Sequence, residues 1–258
     1  MTARITAAVA VRVLRQLRHD RRTAAMLLVL PCLILVLLWW MFRDQAGGFD
    51  SLGPPLLALI PFVVMFLVTS VTTLRERSSG TLERLLSMPT GKADLLGGYA
   101  IAFGAVAAVQ SAAAVALCVW VLGLDVAGPV WMLVAVAVAD AVLGSALGLY
   151  VSAFARTEFQ AVQFMPLVVI PQILLCGLFI ARDELPTVLH WVSDVLPLSY
   201  AVDAMSGVTG TASGTASGMV SGSVLGVDAQ VWVDLAVVVG FTLAALGLGA
   251  ATLRRRTA

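Results

Sequence analysis

Residues that commonly carry out chemistry are few in this sequence, and their spacing fits none of the common catalytic motifs. A Walker-type phosphate loop reads GxxxxGK[ST], but the pair Gly91 and Lys92 lacks both the upstream glycine and the following hydroxyl. The metalloprotease motif HExxH and the hydrolase motif GxSxG do not occur. We therefore predict a chain that is not an enzyme, binds no cofactor itself and does not hydrolyse ATP alone.

The histidines and cysteines are too scattered to form a site. His19 and His190 fall on opposite sides of the membrane topology predicted below, so they cannot share one. Cys32, Cys118 and Cys176 lie in separate apolar runs, without a CxxC or a His-containing metal spacing. We expect the three thiols to be packing residues, with no metal site and no disulfide framework.

One acidic residue stands out because of its apolar surroundings. Asp140 lies near the middle of a long apolar run, where a carboxylate costs about 2.5–3.5 kcal/mol on membrane-insertion scales. Such a residue usually faces protein or water. Asp140 is thus either a contact for an ion or substrate in a transport path, or a structural group that pairs with a polar neighbour such as Gln110 or Ser111.

The segment 75–89 has the pattern of a short docking helix. It reads Arg-Glu-Arg-Ser-Ser-Gly-Thr-Leu-Glu-Arg-Leu-Leu-Ser-Met-Pro. Gly80 can serve as the N-cap with Glu83 in the first turn, and Pro89 marks the end. Three leucines between them are spaced to form one apolar ridge, namely Leu82, Leu85 and Leu86. The pattern alone leaves open whether this helix docks on a partner, packs back on the bundle or lies on lipid headgroups.

The elements that position these residues are predicted to be membrane-spanning helices. The chain of 258 residues is 60% hydrophobic and only 12% charged, and the charges cluster between long apolar runs. Its net charge of +1 therefore says nothing about nucleic acid or acidic ligands, and we expect no nucleic-acid partner for a membrane protein of this composition. Crossing a hydrocarbon core takes about 20 helical residues, and six stretches meet that length. They are 24–42, 54–74, 95–122, 130–154, 160–181 and 231–253.

These stretches predict an all-α, polytopic membrane protein with six transmembrane helices in one domain over 1–258. Helices are expected because a span must satisfy its own backbone hydrogen bonds in lipid. Basic residues are retained on the cytoplasmic side during insertion. With both termini in the cytoplasm, only Arg43 and Arg182 of the 16 basic residues lie outside. This bias supports the orientation and the number of spans.

The segments at either end of the spans have distinct patterns. In residues 1–22, Ile5, Val9, Val13 and Leu17 recur every four positions among arginines. This predicts a basic amphipathic interfacial helix, suited to the headgroup layer, or a simple topology anchor. The external loop 182–230 divides into an apolar helical part through Met205 and a flexible tether that contains Thr-Ala-Ser-Gly twice.

The sequence resembles the type-2 membrane subunits of ABC transporters, a family that includes daunorubicin-type drug exporters and bacterial polysaccharide exporters. The main match is Arg-Glu-Arg-x-x-Gly-Thr-Leu-Glu-x-Leu-x-x-x-Pro after the second span. Two further matches follow in family order, Ala155-Arg-Thr-Glu-x-Gln-Ala161 and Leu196-Pro-Leu-Ser-Tyr-Ala-Val-Asp-Ala204. The Thr-Ala-Ser-Gly tether departs from the family, in which the stretch before the last span is usually shorter and less repetitive.

The resemblance implies a coupling helix in the cytoplasmic loop 75–94, seated in a groove of a separate ABC ATPase that binds ATP and Mg²⁺. It implies that a second permease copy or a related permease completes the pore in the bacterial inner membrane. The exported substrate would be hydrophobic or amphipathic, such as a drug, a lipid or a glycan-linked molecule. The residues implied to contact the ATPase are Glu76, Arg77, Gly80, Thr81, Leu82, Glu83, Leu85 and Leu86.

Two other functions are compatible with the hydropathy, a membrane-embedded lipid-modifying enzyme and a non-transporting scaffold. An enzyme should show converging polar residues at one membrane depth, whereas Asp140 stands almost alone. A scaffold should lack a docking element, and the segment 75–89 has the pattern of one. Both features favour the permease.

Overall fold

The computed structural model describes residues 3–45, 48–78, 92–155, 157–211, 223–224 and 227–252. Besides helices, these residues form a 3₁₀ turn over Arg182–Glu184 and two two-residue strands, β1 (Ser223–Val224) and β2 (Val227–Asp228), paired antiparallel. The α-helices are α1 (Ala3–His19), α2 (Arg21–Phe42), α3 (Gly48–Ser78), α4 (Lys92–Trp120), α5 (Val130–Ser152), α6 (Glu158–Leu175), α7 (Thr187–Val195), α8 (Pro197–Thr209) and α9 (Ala229–Thr252).

Six of these helices, α2 to α6 and α9, are long and apolar enough to cross a membrane. The predicted all-α, six-span fold is therefore confirmed. Two spans differ in length from the sequence-based expectation. The second extends to Gly48–Ser78, and the fifth ends at Leu175 instead of 181. The early end of α6 has a local cause, because Gly177 adopts a positive φ of 91°.

The centre of the bundle is the packing of α5 against α3, which run parallel to each other. Two glycines on α5 allow this close approach. A Cβ atom at Gly144 would lie 2.4 Å from the carbonyl oxygen of Phe62, and one at Gly148 would lie 2.5 Å from that of Phe66. The pair has the small-xxx-small spacing that lets membrane helices meet backbone to backbone. Helices α4 and α9 also pack against α5.

Helix α1 uses its apolar side against the bundle. Val9 and Val13 are buried, and Val9 lies against Gly98 of α4. The hydroxyl of Thr6 donates to Asp94 at 3.4 Å, close to the start of α4. Helix α1 thus lies across one end of the bundle, where α3 ends and α4 begins. We call this the α1 end.

The opposite end of the bundle is closed by α7 and α8. The backbone N–H of Gly128, in the α4–α5 connection, donates to the carbonyl of Val208 at 2.8 Å. The hydroxyl of Ser193 donates to the carbonyl of Leu175 at 2.8 Å and lies 3.0 Å from that of Ser199. These bonds fasten α8 to the α4–α5 connection and α7 to the last residue of α6, and we call this side the α8 end. The predicted tether falls mainly in 212–222, outside the described residues.

Candidate functional site

The last turn of α3 carries three consecutive charged residues that contact three different helices. Arg75 donates to both carboxylate oxygens of Glu158 on α6, at 3.1 and 3.2 Å. Glu76 is 8% exposed and accepts from Arg12 of α1 at 3.5 Å. Arg77 donates to the carbonyl of Ser152, the last residue of α5, at 3.0 Å. We call Arg75, Glu76 and Arg77 the α3 collar.

The three contacts differ in environment. The Arg75–Glu158 pair is bidentate but exposed, and such surface pairs contribute little to stability. Arg12 and Glu76 are more buried, so their pairing matters more to the position of α1. The bond from Arg77 satisfies a carbonyl that has no helical partner at the end of α5. The collar therefore ties the end of one span to three neighbours.

Two of the predicted coupling residues, Glu76 and Arg77, lie in the α3 collar and contact α1 and α5 of this chain. Both belong to the helix of the second span, which extends to Ser78, and their contact with an ATPase stays a prediction. Helix α3 continues through the charged residues without a helix breaker until Ser78. The remaining predicted contacts lie in 79–91, outside the described residues, and stay predictions. They are Gly80, Thr81, Leu82, Glu83, Leu85 and Leu86.

Although 79–91 is not described, its attachment points are. Helix α3 ends at Ser78 and α4 begins at Lys92, and the contacts of Thr6 and Arg12 with these helices place both at the α1 end. The next connection at this end is short. Thr157 is the N-cap of α6, and its hydroxyl accepts from the N–H of Gln160 at 3.1 Å. Two inter-span connections therefore lie beside the collar.

Asp140 is fully buried inside the bundle and does not face lipid. Among the residues that the structure describes, no donor forms a hydrogen bond with either of its carboxylate oxygens. The polar neighbours suggested by the sequence do not reach it. Ser111 donates to the carbonyl of Ala137 at 3.1 Å, and the amide of Gln110 is buried without a hydrogen-bond partner in the described part of the chain.

A charged cluster at the α8 end was missed by sequence reasoning. Arg182 donates to Asp194 at 2.6 Å and to Asp203, and its guanidinium lies 5.3 Å from the centre of the Tyr200 ring. The hydroxyl of Tyr200 donates to the backbone carbonyl of Asp194 at 2.8 Å. The ring nitrogen Nδ1 of His190 lies 3.3 Å from the side-chain carboxylate of Asp194. We call Arg182, Asp194, Tyr200 and Asp203 the α8-end cluster.

The charges of this cluster perturb one another. Burial by itself would lower the pKa of Arg182, but the charge and hydrogen bond of Asp203 and the charge of Asp194 outweigh it and raise that pKa. Burial raises the pKa of Asp203 above its usual value, against the lowering effect of Arg182. The sequence signal was faint, because Arg182 is 12 and 21 residues from its two partners.

The described residues contain no group of three or more His, Cys, Asp or Glu side chains that could hold a metal ion. All three cysteines are free thiols; Cys118 and Cys176 are buried, and Cys32 is partly exposed. The charged features of interest in the described residues are therefore the α3 collar, the isolated Asp140 and the α8-end cluster.

These features define a polytopic membrane protein whose first helix crosses the end of the bundle and whose second span ends in a charged collar. Residues 4–209 match the ABC-2 type transporter family. Because this match covers most of the chain, the protein belongs to that family, and the resemblance noted in the sequence is confirmed.

The chain is similar to several curated proteins. It is 26% identical to ABC transporter G family member 20 of Dictyostelium discoideum over 62% of this chain and 22% of that protein. It is 27% identical to the "Probable multidrug ABC transporter permease YbhR" of Escherichia coli strain K12 over 58% of this chain and 41% of the relative. It is 27% identical to the linearmycin resistance permease protein LnrN of Bacillus subtilis strain 168, over 64% of this chain and 40% of that protein. The chain thus spans less than half the length of these relatives.

Proposed function

We propose that this chain is the membrane-spanning permease subunit of an ATP-driven exporter, with ATP and Mg²⁺ bound by a separate ABC ATPase. The observation that carries the proposal is membership of the ABC-2 family over residues 4–209. Relatives described as permeases in Escherichia coli and Bacillus subtilis support it.

The α1 end is the cytoplasmic end in this proposal, and both termini lie in the cytoplasm of a bacterial cell. The support is the distribution of basic residues, which leaves only Arg43 and Arg182 outside. Single cysteines introduced at Ser217 and Thr257 of a cysteine-free variant test the orientation. An impermeant thiol reagent should label position 217 in intact cells and position 257 only after lysis. The reverse labelling would reject the topology.

The collar suggests how motion would pass from the ATPase into the bundle. The loop 79–91 continues directly from the collar, so a force on the loop acts first on the last turn of α3. That turn contacts Arg12, Ser152 and Glu158, which lie on α1, α5 and α6. The displacement would therefore be shared among four helices instead of bending one. Close packing of α3 with α5 would carry it toward the α8 end.

A second permease copy or a related permease would complete the translocation path. The support is the family together with the exposed apolar surfaces of α2, α6 and α9, each less than a quarter buried in this chain. Lipid and a second permease can both cover such surfaces. The substrate class we propose is hydrophobic or amphipathic, consistent with the descriptions of the permease relatives as multidrug and linearmycin-resistance proteins.

A double substitution in 79–91 tests the coupling role. We would purify the tagged chain from its native host and measure the ATP hydrolysis and the Walker-type ATPase that accompany it. Glu83→Arg combined with Leu86→Asp should abolish both, because it buries an unpaired charge in the partner's groove at a cost of several kcal/mol. Membrane abundance should stay normal, since neither position lies in a predicted span.

A matched control makes the same kinds of change at the α8 end. Glu184→Arg with Val188→Asp alters two exposed residues, in the 3₁₀ turn and in α7, that lie outside the predicted spans. This variant should retain the ATPase at the wild-type level. Retention of the ATPase and of wild-type export by the Glu83/Leu86 variant would reject the coupling assignment. The alternative that the segment 79–91 forms a helix lying on the lipid headgroups would then be favoured.

A further inference from the structure

Helix α1 has a basic surface on the side that faces away from the bundle. The buried side of the helix includes Val9, Ala10 and Val13. On the other side, a shallow groove follows the helical repeat of three and four residues. The residues that line this α1 groove are Arg4, Ala7, Ala8, Val11, Arg12 and Arg15.

The composition of the groove is one-sided. Its floor is made of small or apolar side chains, and its charges are all positive. The sequence has no acidic residue before Asp20, so no carboxylate lies along the helix itself. Among the described residues, no acidic side chain forms an ion pair with Arg4 or Arg15, whereas Arg12 reaches Glu76 at 3.5 Å. Two exposed guanidinium groups therefore lack a counter-charge within the described chain.

The depth of α1 in the membrane follows from its contacts. Thr6 touches the start of α4 at Asp94, and Arg12 touches the end of α3 at Glu76. Both are the end turns of helices long and apolar enough to cross the membrane. The helix consequently lies at the level where hydrocarbon gives way to headgroups. An outward-facing stripe at that level meets lipid phosphates.

We infer that the α1 groove is a binding site for the headgroup of an anionic phospholipid. The phosphate would bind to Arg15, Arg4 would add a second positive charge about 16 Å further along the helix, and the first methylenes of the acyl chains would cover Ala7, Ala8 and Val11. Guanidinium groups bind phosphate oxygens in a bidentate manner, and their stems cover apolar surface. The inference does not depend on the proposed export function, because it rests on the charge, shape and depth of α1.

Native mass spectrometry of the full-length protein in detergent can test this site. The protein would be mixed with equal amounts of dioleoylphosphatidylglycerol and dioleoylphosphatidylcholine, and the ratio of the two singly bound species would be measured. Each arginine near a membrane surface favours an anionic lipid by about fivefold. We therefore expect Arg15→Gln to reduce the wild-type preference about fivefold, and Arg4→Gln with Arg15→Gln to reduce it at least about tenfold.

Three comparisons separate the groove from general charge effects. Arg43→Gln removes one exposed arginine at the opposite membrane boundary and should leave the preference unchanged. Arg4→Lys with Arg15→Lys keeps the charge and should retain most of it. An unchanged preference in the Arg4/Arg15 glutamine variant would overturn the inference. Loss of the ATPase from that variant with an unchanged lipid ratio would also overturn it, and would assign the groove to a protein partner.

Discussion

The contact of α3 with α5 should be highly sensitive to a single added methyl group. The structure places the carbonyl oxygen of Phe62 2.4 Å from the position that a Cβ atom at Gly144 would occupy. An ordinary contact of this kind is about 3.4 Å, so Gly144→Ala has to move the two helices apart locally by about 1 Å. Backbone cannot rotate away as a flexible side chain can, so the helices themselves must shift.

The cost can be bounded from known effects of overpacking. Extra methyl groups in a well-packed core typically destabilise by about 1–3 kcal/mol. The better helix propensity of alanine returns about 0.5–1 kcal/mol. We expect a net loss of about 1–2 kcal/mol for Gly144→Ala, and a similar loss for Gly148→Ala, which meets Phe66. The double variant should lose less than the sum, because the first substitution has already separated the helices.

Thermal unfolding of the purified chain in detergent measures this loss. For a chain of this size, 1 kcal/mol corresponds to about 2–4 °C in the midpoint temperature. Gly240→Ala and Gly247→Ala are matched controls on α9, since no atom lies within 4 Å of a Cβ built at either position. Equal midpoints for Gly144→Ala and Gly240→Ala would refute the close backbone contact.

Three further substitutions test the polar groups. Asp140→Asn should leave membrane insertion normal, since removing a charge lowers the membrane penalty, and should not lower the unfolding midpoint, because neither carboxylate oxygen has a described donor to lose; a lower midpoint would contradict this. Arg182→Gln should cost about 1–3 kcal/mol because two carboxylates lose their partner, and the coupling with Asp203→Asn in a double-mutant cycle should be favourable. Thr157→Ala should cost about 0.5–2 kcal/mol through the lost cap of α6, and Thr157→Ser should not.

Hydropathy predicts the spans well because each must supply about 20 apolar residues and all its own backbone hydrogen bonds. It predicts their ends less well. The fifth span was expected to reach 181, but Gly177 turns the chain and the hydroxyl of Ser193 caps the carbonyl of Leu175. The contact of Ser193 with Leu175 depends on how α7 packs against the end of α6. Hydropathy carries no information about this packing.

The polar contacts, too, were only partly predictable from the sequence. The sequence pattern identified the charged segment after the second span, and the structure places Arg75, Glu76 and Arg77 in the helix of that span. Their partners come from α1, α5 and α6, so the spacing within the segment could not reveal them. Asp140 was recognisable from its apolar surroundings, because charge within a span is unusual. Its lack of a hydrogen-bond donor is a property of packing alone.

The position of Asp140 argues for a structural rather than a substrate-binding role. Asp140 precedes Gly144 and Gly148 by one and two helical turns, so the three residues lie on the same side of α5, the side that meets α3. At these two glycines, α3 and α5 approach each other so closely that not even a methyl group fits between them. A substrate could reach the carboxylate only if α3 and α5 separated. In the proposed mechanism, however, these two helices move together, because the collar joins the end of α3 to the end of α5 through Arg77. If α3 separated from α5 during each cycle, the contact of Arg77 with Ser152 that transmits the motion would break.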